Sequence, residues 1–120
     1  MKSDSKFMYD YENDSLFVSK KERSYESSVE VENMIFDLDK DKRIVGFEIL
    51  AASKVLGVDK IFIKNVFEGK LDVDINEKFL QIKMQLKSKV RNSDKFAVYK
   101  ADNFKPDALS PSKVNFALAN

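Results

Sequence analysis

Leu80-Gln81-Ile82-Lys83-Met84-Gln85-Leu86-Lys87 alternates apolar and polar residues without a break, and Leu71-Asp72-Val73-Asp74-Ile75 does the same just upstream. A period of two sends every apolar side chain to one face of an extended chain and every polar one to the other. Both stretches therefore read as strands with one core face and one wet face. Asn76-Glu77-Lys78 supplies the turn between them. The rest of the chain has to be built around sheet.

Two more hairpins precede this one. Phe7 to Tyr11 and Leu16 to Ser19 are aromatic and β-branched, and Glu12-Asn13-Asp14-Ser15 between them is a turn. After a polar loop, Lys20 to Ser28, a second hairpin runs from about Val29 to Leu50. Its charged turn spans Asp37 to Arg43, and its second strand, Ile44-Val45-Gly46-Phe47-Glu48-Ile49-Leu50, is apolar enough to be covered on both faces. Gly46 within that strand predicts a bulge or a close backbone approach. The period lengthens only at Ala51 to Phe67. Good helix formers lead to Gly57 as a stop, then Asp59 is an N-cap for a second short helix through Phe67 that ends at Gly69. Beyond the alternating pair come a charged turn from Val90 to Lys95, a strand from Phe96 to Ala101, an irregular connection from Asp102 to Ser112 and a last strand over Val114 to Leu118. The expected fold is α+β, predominantly antiparallel β-hairpins of about eight short strands, with one short helical segment at about 51–67 in a single domain, 1–120.

Composition excludes more chemistry than it suggests. The chain has neither Cys nor His. Disulfides, zinc sites, Ser-His-Asp triads and Cys-His pairs are ruled out, and a metal would have to be a hard cation held by oxygen. A reducing cytoplasm is the simplest home. The N-terminus, Met1 to Lys6, is polar, and no apolar run approaches the roughly 20 residues that cross a bilayer. Lys plus Arg number 21 and Asp plus Glu 20, so net charge gives no general argument for nucleic acid or membrane. The halves differ: residues 1–69 hold 11 basic and 14 acidic side chains, residues 70–120 hold 10 and 6.

Four groups of residues are candidates for a site. Asp37, Asp39, Asp41 and Glu48 fall at positions 1, 3, 5 and 12 of an EF-hand loop. Lys42 occupies the position that needs Gly, Arg43 follows it and the flanks are strands, so a solvated hairpin turn is the better reading. Lys83, Lys87 and Lys89, followed by Arg91, form a basic ribbon that tracks phosphates or other anions, with Phe96 and Tyr99 near enough in sequence to stack on bases. The plain alternative is a solvated face, or lysines guarding an edge strand. Tyr9, Asp10, Tyr11, Asp14 and Glu48 would make a carboxylate–phenol cluster if the fold gathered them. Ser53 lacks a partner base, and the three glycines are too scattered for a phosphate loop. Finally, the rows Leu80, Ile82, Met84, Leu86 and Val114, Phe116, Leu118 are either monomer core or a face for self-association.

Three segments resemble a known group: Tyr9-Asp10…Asp14-Ser15-Leu16-Phe17-Val18, then Val31-Glu32…Ile35-Phe36-Asp37-Leu38-Asp39, then Arg43-Ile44-Val45-Gly46-Phe47-Glu48-Ile49-Leu50-Ala51-Ala52-Ser53-Lys54. Their order and spacing are similar to the small prokaryotic domain-of-unknown-function family numbered 2283, over about residues 7–56. Residues 57–120 are similar in layout to a longer archaeal form with a helix and further strands. Phe17 stands for the usual Tyr, Asn33-Met34 for the Gly and Ala51 for an Asp that would cap a helix. The resemblance implies no activity, cofactor or catalytic residue. The expected function is a non-enzymatic interaction module working as a homodimer. The alternative is nucleic-acid or anion binding through the Lys83–Arg91 ribbon. No catalytic, cofactor or metal residues are assigned.

Overall fold

In the computed structural model, which describes residues 5–22 and 24–119, the alternating stretches form two antiparallel sheets. In chain order the elements are β1 (Ser5–Asp10), β2 (Ser15–Lys20), β3 (Ser27–Val31), β4 (Met34–Leu38), β5 (Ile44–Ile49), α1 (Ala52–Leu56), α2 (Lys60–Lys64), β6 (Val66–Ile75), β7 (Phe79–Val90), β8 (Ser93–Phe104) and β9 (Ser112–Ala119). The first sheet runs β1-β2-β5-β4-β3 and the second β8-β7-β6-β9. The sequence features of residues 1–4, Arg23 and Asn120 lie outside the described residues.

The two sheets share one core. On the first, Leu16, Phe36, Phe47 and Ile49 are fully buried; on the second, Leu71, Val73, Leu80, Met84 and Phe116. Phe36 stacks on Phe47 at 6.0 Å between ring centroids, and Phe47 meets Phe116 of the other sheet at 6.1 Å. Such pairs add to the area they bury, so this aromatic chain helps tie the sheets together. The sheets also touch where Ser5 Oγ accepts a hydrogen bond from the Ala117 N–H, joining β1 to β9.

Three departures from the expected fold have local causes. Val29 to Phe36 is two strands, because Glu32-Asn33 is a tight turn with Glu32 at φ 55° and Val31 facing Met34. That turn brings the strand count to nine. The β5 strand is central but keeps one face partly wet. Its register shifts where Asp37 pairs with Gly46 but Leu38 pairs with Ile44, leaving Val45 as the extra residue of a bulge. The bulge puts Ile44 on the core side together with Phe47 and Ile49, which no strict alternation would do. Third, the second helix stops at Lys64, so Phe67 and Gly69 belong to β6 instead of ending a helix. Gly69 faces Leu86; a Cβ there would sit 3.0 Å from its Cδ2, so the glycine answers to strand packing.

The charged turn read as Val90 to Lys95 contracts to two residues. Arg91 and Asn92 both have positive φ, 54° and 62°, the signature of a type I′ turn, and β7 and β8 run on for twelve residues each. Among the described residues no helix is long and apolar enough to cross a membrane.

Candidate functional site

The densest polar cluster lies where the β1–β2 turn meets the first helix. Asp14 closes that turn in the left-handed region, φ 53°, and its half-buried carboxylate points at α1. The Ser53 N–H donates to Oδ1 and Oδ2 at 3.0 and 3.2 Å, the Ser53 hydroxyl to Oδ2 at 2.6 Å, and the Tyr9 hydroxyl to Oδ1 at 2.6 Å. The Asp14 carbonyl takes the Ala52 N–H at 2.8 Å. The N-cap position itself is Ala51, which has no side-chain cap and sits at φ 52°. Asp14 thus caps from 39 residues away the helix end that Ala51 cannot cap.

Electrostatics follow that geometry. Burial works to raise the Asp14 pKa, but hydrogen bonds from Ser53 and Tyr9 outweigh it and hold the carboxyl below its ordinary range. Burial and the bond to Asp14 push the Tyr9 phenol up. Lys60 donates to the Tyr11 carbonyl at 3.1 Å and lies 5.3 Å from its ring centroid, with Lys64 at 5.5 Å. Each oxygen of Asp14 is engaged, and Ser53 faces an ionised carboxylate with no imidazole to relay a proton. The arrangement fastens a helix to a hairpin.

The imagined cluster of Tyr9, Asp10 and Glu48 is not assembled. Tyr9 packs on the core side of the first sheet, while Glu48 lies between Phe17 and Ile35 on the opposite face. Asp10 turns to Asn13, whose side chain and backbone N–H hold its carboxyl low. Glu48 is shifted upward by burial and by Asp37, against a hydrogen bond from Ser15. In the β4–β5 turn, the Asp39 carboxylate accepts from the Arg43 and Asp41 N–H groups and from Arg43 Nε, so a guanidinium and backbone donors fill the place a cation would take. Its pKa is lowered chiefly by the Arg43 N–H. Among the described residues no three acidic side chains gather for a metal ion.

The second sheet holds the other candidates. Leu80, Ile82, Met84, Leu86 and Phe116 are buried, and Val114 and Leu118 pack half-buried beside them. The rows offered as an interface are taken up by the monomer's own core, because the first sheet covers that face. Lys83, Lys89 and Arg91 are exposed and Lys87 half-buried. Acids interrupt their ribbon: Asp72 stands across from Lys83, Glu68 across from Lys87, and Asp94 pairs with Lys89 at 3.7 Å. Lys87 lies between the rings of Phe67 and Phe96, 5.5 and 5.4 Å from their centroids.

The expected strand from Phe96 to Ala101 is present as β8, longer at both ends, but the sequence pattern did not disclose its place at the sheet edge or its exposure. Among the described residues β8 pairs only with β7 and forms the sheet's edge, yet Phe96, Val98 and Phe104 are 72%, 60% and 81% exposed. Phe104 stacks on Phe79 at 5.8 Å, also in the open. The signal was the apolar residues at Phe96 and Val98, which a core-seeking reading assigns to the interior.

These features define a small, mostly antiparallel two-sheet protein with two short helices, whose densest polar group ties a helix to a hairpin. The chain belongs to the family described as "Protein of unknown function (DUF2283)", whose model matches residues 6–53. It is 35% identical over 103 residues to an uncharacterized protein of Methanocaldococcus jannaschii, covering 82% of this chain and 87% of that protein. It is 30% identical over 88 residues to a Methanosarcina mazei protein named "Putative hypoxanthine phosphoribosyltransferase", covering 73% of this chain and 72% of that one. Both similarities extend well past residue 53. No solved structure matches.

Proposed function

We propose that this chain is a non-enzymatic interaction module that works as a homodimer, joined at the β8 edge. The observation that carries the reading is a twelve-residue edge strand bearing exposed Phe96, Val98 and Phe104. Edge strands left unpaired are normally short, charged or covered, because their free N–H and C=O groups recruit other strands. A long one with three exposed apolar side chains among its charges fits a surface that is covered in use. A second copy is the simplest cover, since two-fold dimers are the commonest assemblies. A non-enzymatic role is supported by Asp14 and Ser53, which spend their polar atoms on each other and on the helix start. The activity in the name of the M. mazei relative stays with that protein.

Sedimentation or light scattering tests the reading. The wild type is expected to be dimeric at micromolar concentration, and Phe96→Asp to be monomeric with an unchanged circular dichroism spectrum. Loss of a central aromatic anchor costs about 2 kcal/mol or more of association. A monomeric wild type, or a Phe96→Asp variant that dimerises as well as the parent, would reject it. The second reading, nucleic acid on the Lys83–Arg91 ribbon, rests on exposed Arg91 at the hairpin tip and is weakened by the acids between the lysines. It requires DNA or RNA binding that falls steeply with salt.

A further inference from the structure

The twelve residues of β8 hold enough information to say how two copies would meet. In a two-residue type I′ hairpin the residues flanking the loop form a hydrogen-bonded pair, here Val90 and Ser93. Hydrogen-bonded and non-hydrogen-bonded pairs then alternate along the ladder. Ser93, Lys95, Ala97, Tyr99 and Ala101 thus direct their backbone groups at β7. Asp94, Phe96, Val98, Lys100 and Asp102 direct theirs at the open edge. Their side chains lie on the outer face, where Asp94, Phe96, Val98 and Lys100 are all exposed.

We infer that two β8 strands pair antiparallel about a two-fold axis at Ala97, making one continuous eight-stranded sheet; this rests on the homodimer reading above. In that register Asp94 faces the partner's Lys100, and Phe96 faces the partner's Val98. By symmetry each pair occurs twice, and all four of these residues carry the free backbone donors and acceptors the new ladder needs. Opposite charges and aromatic–β-branched contacts directly across strands are the favourable pairs of antiparallel sheet. The neighbouring registers do worse, and an axis at Phe96 sets the Asp94 carboxylate against the partner's Val98. An axis at Val98 sets Asp94 against the partner's Asp102, and one at Lys100 opposes two ammonium groups. An axis at Tyr99 puts Phe96 against a carboxylate and Val98 against an ammonium. The Ala97 register also answers a charge problem within the monomer. Lys100 stands directly opposite Lys83 on β7, and the incoming carboxylate would compensate that like-charged pair.

Because the chain has no cysteine, single-cysteine variants report the axis directly. Only the residue on the axis faces its own copy. Opposed residues of a non-hydrogen-bonded pair have Cα atoms about 4.5 Å apart, inside the disulfide range, whereas a residue one step off the axis lies roughly 8–9 Å from its copy. Under mild oxidation Ala97→Cys is expected to form covalent dimers well ahead of Phe96→Cys, Val98→Cys and Tyr99→Cys. Independently, Asp94→Lys and Lys100→Asp are each expected to weaken dimerisation about tenfold, since each turns two opposite-charge pairs into like-charge pairs, and the double exchange to restore it. A dimer that crosslinks fastest at one of the other three positions overturns the register and leaves the β8 reading standing. A dimer with no crosslink at any of the four overturns both register and edge. A protein that stays monomeric at tens of micromolar removes the dimer altogether.

Discussion

The β1–β2 turn with α1 and the β8 edge pose the same physical problem and resolve it differently. Both leave backbone groups that secondary structure does not use: the first N–H groups of a helix, and one side of an edge strand. At the helix, Asp14 reaches across the fold, the Ala52 and Ser53 N–H groups are satisfied, and Tyr9 completes the carboxylate's shell. At β8 no strand among the described residues pairs with the open side, and Phe96, Val98 and Phe104 stand exposed along it between charged Asp94 and Lys100. One region has its backbone groups satisfied within the chain; the other has a strand edge that no strand among the described residues pairs with. The lesson is that polar density marks structure in this chain, while the exposed apolar residues of β8 are what the proposed interface rests on.

That contrast presumes that both regions belong to one cooperative unit. Phe116 tests it, since it is buried at 1% and its ring meets Phe47 across the sheets. Phe116→Ala is expected to cost about 3–5 kcal/mol, the usual price of a cavity of that size. Urea unfolding followed at the tyrosines of both sheets should still show one transition, at lower denaturant. Two separated transitions would mean that the sheets fold independently and that the comparison is between two bodies.

The finished region should fail when its central acceptor is removed. Asp14→Ala strips four hydrogen bonds from a half-buried carboxylate and is expected to destabilise by about 2–3 kcal/mol. The pH dependence has a definite sign. The Asp14 pKa is lower folded than unfolded, so its contribution is present above the unfolded carboxylate value and is lost as pH falls through the folded one. The gap between wild type and Asp14→Asn measured by urea unfolding should therefore narrow in strong acid. A gap that stays constant with pH would show that the carboxylate's charge is irrelevant there.

How much of this was legible beforehand differs between the regions too. The period-two stretches gave β6 and β7 and their core face, because alternation and burial coincide at Leu71 to Ile75 and Leu80 to Leu86. The turn at Glu32 was hidden because a non-glycine residue adopts positive φ there and no Gly or Pro announces it, whereas the Val90 to Lys95 turn was legible and only its tightening to Arg91-Asn92 was not. The Val45 bulge was hinted at by Gly46 alone, and it reassigns the faces of β5. The Asp14–Ser53 contact could not be read from local pattern, since the partners lie in different elements. The one clue was negative: Ala51 stands where a helix would ordinarily carry its own cap, so some distant acceptor had to supply it.

Glu48 sharpens the comparison most finely, as a carboxylate near the finished region that its surroundings do not favour. It lies between Phe17 and Ile35 across neighbouring strands, and burial followed by the nearby Asp37 raises its pKa, only partly opposed by Ser15. A carboxylate whose folded pKa is raised favours the native state while protonated and loses that advantage as pH climbs through the folded value. At neutral pH, then, the ionised Glu48 costs stability. Glu48→Gln keeps the shape and can still accept from Ser15, so it should raise the melting temperature near neutrality. The side chain is partly solvated, so screening limits the gain to a few tenths of a kcal/mol. Below the ordinary glutamate pKa, where wild type carries the proton as well, the two curves should merge. An unchanged melting temperature at neutral pH would mean that water reaches Glu48 well enough to erase the penalty, and that the outer face of the first sheet is as settled as the helix junction behind it.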